Sequence, residues 1–392
     1  MSQMSIKGIK ERTDMNKKEV LEIRKQFTQE RQTISRICGC YVDGEKEIKF
    51  TSKDAFHSLP EEDAFKYFEI FRKSLSGTIG KNLINMEFPL EQELEGGTQE
   101  FLLRLRDSKL QDDELLEEFY KKIIDNYVCN DNFFIILIHA AYDVPGKSTA
   151  GDEMFDASDE VYEYILCSIC PVKLSKAGLG YNQTKNCIED RMRDWVVDAP
   201  AKGFLFPQFN DRTTDIHGVL YYSKNPEELQ YEFVERLLGS TLPMTAGDQK
   251  ETFHTFIEEA VGEDCDYEIV KNIHENLNEM LEQSKDEPEP LVLTKNDVRN
   301  IFEKSGVSNE KMEQFEEEFN SEVGEKAELV AQNIAETKKF NIETPDVVIK
   351  VKPDRTDLVE TKIIDGRECI VITVSDRIQV NGVTVRTTKE EE

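Results

Sequence analysis

A chain of 392 residues with 49 Lys and Arg against 79 Asp and Glu, a formal charge of −30, is long enough for more than one domain with a sizeable core. That charge argues against broad attraction to nucleic acid or an anionic membrane, so any contact with DNA requires a local basic face. The start, MSQMSIKGIKERTDMNKK, is polar, no apolar run is long enough for a membrane span, and the eight cysteines follow no regular spacing, so the sequence reads as cytoplasmic, with reduced thiols and neither secretory signal nor anchor.

Residues 1–14 read as a disordered extension. From Met15 the stretch MNKKEVLEIRKQF predicts a short helix with Val20, Leu21, Ile23 and Phe27 on its apolar side, and residues 1–31 hold eight basic against five acidic residues, one of the few positive segments. Between Ile37 and Phe50, Asp43-Gly44 separates two strand-like runs and predicts a hairpin, because both turn residues tolerate positive φ. Ser58 with Glu61 has the spacing of a capping box for a helix whose Ala64, Phe68, Phe71 and Leu75 share one side and which Gly77 stops. After FLLRLRDS, a helix over Asp113 to Tyr127 places Leu115, Leu116, Phe119, Tyr120, Ile123, Ile124 and Tyr127 at spacings of three and four.

The organising stretch is Phe133 to Ala141, FFIILIHAA, paired with Tyr162 to Val172, YEYILCSICPV. Both are short, β-branched or aromatic, and bounded by turn formers, which predicts neighbouring strands buried at the middle of a sheet, joined by a polar loop from Val144 to Asp159. NCIEDRMRDWVV, GFLFPQF and HGVLYY follow, and then a helix that Asn225 caps, Pro226 opens and Gly239 ends. The expected class is α+β, an antiparallel or mixed sheet with covering helices over 15–240.

Residues 241–346 form an acidic helical region: from Asp248 to Asp346 there are 27 acidic and 10 basic residues, with apolar positions such as Phe253, Phe256, Ile257 and Ala260 recurring at helical spacing and a hinge at 286–290. The period then switches to two, and Asp365-Gly366 and Asn381-Gly382 mark hairpin turns of a small antiparallel sheet over 347–388. Residues 389–392 read as a solvated tail.

Several groups of residues have the composition of a chemical site. Ala141 to Ser148 matches the letters of a phosphate cradle, with Gly146, Lys147 and Ser148 as its nucleotide contacts, but Pro145 removes an amide where the cradle needs one, and an acidic stretch follows where a helix should open. Cys167 and Cys170, with Cys38 and Cys40, could offer zinc ligands, yet side chains three apart on a strand point to opposite faces, which favours buried thiols. The acidic loop from Asp152 to Glu160, and the trio Asp211, Asp215 and His217, could hold a cation but lack the ligand spacing of a calcium loop. Asp346 with Glu360 and Lys362 has the letters of a metal-dependent nuclease, in which carboxylates hold magnesium and the Lys stabilises the attacking water or the developing charge; alternating charge on an exposed strand gives the same letters. Finally, Arg104, Arg106 and Lys109 with Arg191, Arg193 and Trp195 could make a basic and aromatic patch for a nucleic-acid backbone, or form structural ion pairs with neighbouring carboxylates.

Taken together, RICGCYVDGEKE, FPLEQELEGGTQEFLLRLRDSKL, IHAAYDVPGK, ILCSICPVKLSK and NCIEDRMRDWVVDAPAKGFLFPQFNDRTTDIH resemble a bacterial family catalogued as domain of unknown function 4317, from Met15 nearly to the end. That resemblance implies no activity. The order of elements is also similar to that of bacterial nucleoid-associated proteins, which implies a non-enzymatic protein near the chromosome or its topoisomerases and transfers no residue role. The expectation is therefore a non-catalytic protein without cofactor that binds a macromolecule, either a protein or a DNA-associated complex. The alternative is a nuclease using Asp346, Glu360 and Lys362.

Overall fold

A run such as FFIILIHAA has no polar side, so the strand it forms needs cover on both faces. The computed structural model describes residues 14–147, 153–262, 266–322, 328–374 and 377–385, and it meets that need with helices on both faces of one antiparallel sheet. The chain divides into two compact units between Gly247 and Asp248.

In the first unit, α1 (Lys17–Arg24) precedes β1 (Ile34–Val42), β2 (Ile48–Ala55), α2 (Glu61–Ser74), β3 (Leu83–Glu87), α3 (Thr98–Asp107) and α4 (Asp113–Asn126). The long strands β4 (Asn132–Lys147) and β5 (Glu153–Leu174) follow, then the short β6 (Leu179–Asn182), β7 (Cys187–Asp190) and β8 (Trp195–Val197). The unit closes with β9 (Lys202–Phe206), β10 (Gln208–Asn210), β11 (Thr213–Asp215), β12 (Gly218–Ser223) and α5 (Tyr231–Leu238). The main sheet runs β2-β1-β4-β5-β9-β12-β3, with β8 paired to the end of β5.

The two apolar runs are its central neighbours, in register from Phe133 opposite Pro171 to Ala141 opposite Glu163. The stretch expected as a polar loop instead continues both strands, as far as Lys147 opposite Glu153. Main-chain pairing needs no apolar side chain, so hydrophobic pattern alone underestimates the length of such a hairpin.

One face buries Ile135, Leu137, Cys167 and Phe204 beneath Leu105, Leu116, Phe119 and Phe233 of α3, α4 and α5. The other buries Ile136, Ile138, Tyr162 and Leu166 beneath Ile23, Phe68 and Phe71 of α1 and α2. Each such side chain contributes about 1.5–3 kcal/mol on burial. A buried hydroxyl pair, Ser74 Oγ to Ser168 Oγ at 2.8 Å, ties α2 to β5.

Local signals were met with adjustments. Asn16 caps α1 reciprocally with Glu19, accepting from the Glu19 amide while Glu19 Oε2 accepts from the Asn16 amide at 2.8 Å. The β1–β2 turn is held by Asp43 Oδ1, which accepts from the Glu45 and Glu47 amides, and positive φ falls on Lys46 at 65° rather than on Asp43-Gly44. Ser58 Oγ donates to the Ala55 carbonyl at 2.7 Å, so the expected capping box does not form and α2 starts after Pro60 with no side-chain cap. Asn225 organises a turn, and α5 begins only at Tyr231, ending on Gly239 at φ 62° as expected.

The second unit holds α6 (Ala246–Val261, opening at the boundary), α7 (Tyr267–Gln283), β13 (Val292–Leu293), α8 (Lys295–Ser305), α9 (Asn309–Glu322), β14 (Leu329–Val330) and α10 (Ala331–Ile334). Phe253, Phe256, Ile273, Phe302, Phe315 and Phe319 fill its core. Three separate hairpins follow, β15 (Phe340–Glu343) with β16 (Val348–Val351), β17 (Val359–Ile364) with β18 (Arg367–Ile372), and β19 (Ile378–Val380) with β20 (Val383–Val385). The last two turn on Asp365-Gly366, at φ 50° and 74°, and Asn381-Gly382, at 48° and 82°, the left-handed pair that a two-residue hairpin loop requires.

Candidate functional site

Cys167 lies in the core under α4 and Cys170 in the core under α2, so the strand puts their sulfurs on opposite sides of the sheet. Burial pushes the Cys38 and Cys40 thiols up to about 12, and it raises those of Cys167 and Cys170 as well. All four are therefore neutral packing groups at physiological pH. Among the described residues no cluster of three or more His, Cys, Asp and Glu is placed to hold a metal ion.

The phosphate-cradle letters Ala141 to Lys147 are strand, with their main chain in the β4–β5 ladder, so these residues do not form the loop that aims amides at a phosphate. Gly146 is buried opposite Met154, Lys147 is opposite Glu153, and Ser148 lies outside the described residues, as does Asp152 of the acidic loop. Glu160 instead accepts from the Thr214 amide at 2.8 Å, while Asp215 accepts from Asn210 Nδ2 at 2.7 Å and His217 Nδ1 meets Glu93 at 2.7 Å. These contacts pin the β10–β11 hairpin.

Asp346 sits in the turn between β15 and β16, and Glu360 and Lys362 sit on β17, where Lys362 Nζ is 2.6 Å from Glu360 Oε1 in a solvent-exposed pair. An exposed pair of this kind is worth little to stability.

The basic and aromatic set divides in two. Arg104 meets Glu100 at 3.6 Å, Arg106 meets Asp107 at 2.6 Å, and Lys109 reaches Glu163 in the middle of β5 at 3.7 Å. Arg191, Arg193 and Trp195 belong to the far end of that strand, where Trp195 pairs with Leu174 and Arg193 Nε donates to the Ser175 carbonyl at 2.7 Å. At about 3.3 Å per residue the two groups stand roughly 35 Å apart along β5.

The second group lies on a projecting arm, residues 173–197, with β6 and β7 as a separate two-stranded hairpin and β8 returning to β5. The register sets Leu179 opposite Asp190 and Tyr181 opposite Ile188, so Leu179, Tyr181 and Ile188 share one side, and they are 78%, 62% and 62% exposed. The other side is polar: Asn182 Nδ2 and Lys185 Nζ both bond Glu189. Met192 is 85% exposed and Trp195, the chain's single tryptophan, 56%. Trp195 and Val197 also line an open groove of about 790 Å³ with Tyr67, Ile70 and Phe134. The arm carries five basic and three acidic residues, a local inversion of the chain's overall charge.

Two internal polar groups escape sequence reading because their partners are distant in the chain. His139, buried on β4, accepts or donates at Nδ1 with the Ser35 hydroxyl at 2.7 Å, and its Nε2 faces Glu163 at 3.8 Å. Burial keeps the imidazole below its ordinary value, hence neutral. Ser35 also donates to the His139 carbonyl at 3.2 Å, and the gap to Glu163 exceeds hydrogen-bond reach, so the trio ties β1 to β4 and lacks the geometry of an activated hydroxyl. Lys202, buried on β9, donates to Ser223 Oγ at 2.8 Å and to the Glu228 carbonyl, and burial lowers its ammonium to about 8.

These features define an α+β protein whose sheet interior is spent on packing and whose outstanding surface is an uncovered arm; no helix among the described residues is long and apolar enough to cross a membrane. The family model described as Domain of unknown function (DUF4317) matches residues 15–383, and the chain belongs to that family. No curated protein matches the chain.

Proposed function

We propose that the protein acts by contact with another macromolecule and not by catalysis, using the arm of residues 173–197. The observation that carries this reading is the uncovered apolar side of the β6–β7 hairpin, formed by Leu179, Tyr181 and Ile188. A two-stranded hairpin is marginal on its own in water, and a contiguous apolar side on it loses the stabilisation that cover would bring. Arg191, Arg193 and the exposed Trp195 beside it suit a partner with acidic groups around an apolar or stacking centre. A DNA-associated complex has that character, in keeping with the nucleoid-associated layout. The chain's charge of −30 favours contact through a bound protein over broad contact with duplex.

Trp195 is a built-in reporter. Its emission, and its quenching by acrylamide, are followed while the full chain is titrated with duplex DNA, single-stranded DNA and a purified nucleoid protein fraction at several salt concentrations. A blue shift with reduced quenching from any of these, lost in Leu179→Ser/Ile188→Ser, supports the reading. Emission and quenching unchanged by all of them contradict it.

A further inference from the structure

Among the described residues the main sheet ends on an open edge: β2 pairs with β1 on one side and with no described strand on the other. All eight residues of β2 are at least partly exposed, and Ile48 and Phe50 are half exposed. Beside this edge, between β2 and α4, runs an open groove of about 870 Å³. Its base is apolar, from Ile48, Leu116, Tyr120 and Ile124, and charged side chains rim it. Tyr120 at that base is buried, and its hydroxyl has no hydrogen-bond partner among the described residues.

We infer that this edge and groove bind an extended peptide segment of another protein, which adds to the sheet as a strand alongside β2 and places an apolar side chain in the groove. The main chain argues for the occupant. Half of the amide and carbonyl groups of an antiparallel edge strand point outward, and the row they make is complementary to an extended backbone and to little else. The groove adds side-chain selection: a volume in this range takes side chains of an added strand, which alternate toward and away from it.

A second copy of the chain is the competing occupant, and it fits less well. The residues of β2 that face α4 are Ile48, Thr51 and Lys53. A paired copy would offer the groove those same three, of which only Ile48 is large and apolar. Lys53 is already engaged, donating to the Gln111 carbonyl at 3.1 Å and pairing with Asp113. This surface is separate from the arm proposed above, on the opposite side of β5 in the strand order.

The test selects a phage-displayed library of linear twelve-residue peptides on the immobilised full chain, with the enriched peptides then synthesised. Their affinity is measured against wild type, Ile48→Glu and Tyr120→Phe, and amide hydrogen exchange is mapped with peptide bound. Ile48 is half exposed, so Ile48→Glu leaves the fold intact. The expected result is slowed exchange confined to 48–55 and the facing side of α4, an affinity loss of at least tenfold in Ile48→Glu, and a few-fold change in Tyr120→Phe. Peptides that bind both variants as well as wild type, protection located elsewhere, or no enrichment at all would overturn the inference. So would concentration-dependent protection of 48–55 without peptide, which would assign the edge to a second copy.

Discussion

Lys202 gives the sharpest test of how the first unit is assembled. Its ammonium is buried on β9, 3% exposed, between Ser223 Oγ on β12 and the Glu228 carbonyl ahead of α5. Two neutral acceptors replace only part of its hydration, and desolvation outweighs the attraction of Glu228, so the folded value falls from 10.5 to about 8. Between these values the unfolded chain holds a proton that the folded chain has released, so stability rises with pH. The window opens near pH 8 and closes near 10.5, and at about 1.4 kcal/mol per tenfold the gain is about 3 kcal/mol. Lys202→Met removes the titration while keeping the length of the side chain. Urea unfolding of both proteins by circular dichroism at pH 7.5, 9 and 10.5 cancels the other titrating groups, since they are shared. The difference in stability should move toward wild type by about 3 kcal/mol across that range. Parallel pH profiles would refute the reasoning and mean that the ammonium is as well solvated inside as in water.

Three further outcomes follow from the same packing. Ile136→Ala, at the fully buried centre of β4, should cost about 2–5 kcal/mol and lower the urea midpoint of the first unit; a loss under 1 kcal/mol would mean that this core collapses freely around the gap. In the native chain, Ellman's reagent should label the exposed Cys187 quickly and Cys38, Cys40, Cys167 and Cys170 only on unfolding; rapid native labelling of Cys167, read by mass spectrometry, would contradict the burial of that thiol. The purified chain should leave supercoiled plasmid intact with magnesium or manganese, and cleavage that Lys362→Ala abolishes would establish the nuclease alternative on Asp346, Glu360 and Lys362.

Much of the fold was legible because its signals are local. The runs at 133–141 and 162–172 are apolar on both sides, which identifies central strands, and the α4 positions from Leu115 to Ile124 repeat at helical spacing and are all buried. Asp365-Gly366 and Asn381-Gly382 carry turn chemistry in two letters, and both adopt it. Signals with two satisfactory outcomes were less informative. The Ser58 hydroxyl could serve a helix amide or a carbonyl behind it, and it takes the carbonyl. The hairpin between Val144 and Asp159 is polar in composition, yet its ladder continues through register shifts at Pro145 to Lys147 opposite Glu153.

The sites were harder to read because they depend on partners far apart in sequence. Arg104 and Arg191 each open an Arg-x-Arg-Asp run, and only the register of β5 shows that the first group meets that strand at Glu163 and the second at Leu174. The apolar side of the arm emerges from the register of Tyr181 with Ile188, which letters alone do not fix, and the β2 groove depends on which strand is left at the edge.

The most direct test of the central claim, that the arm is where the protein meets its partner, is photocrosslinking in the native cell. A benzophenone amino acid is placed at Tyr181 in one strain and, as a control, at Phe65 on the exposed side of α2 in another. The account predicts a discrete high-mass adduct from position 181, lost when Ile188→Ser is added, and none from position 65. Equal adducts from both positions, or none from 181 at normal expression, would contradict it.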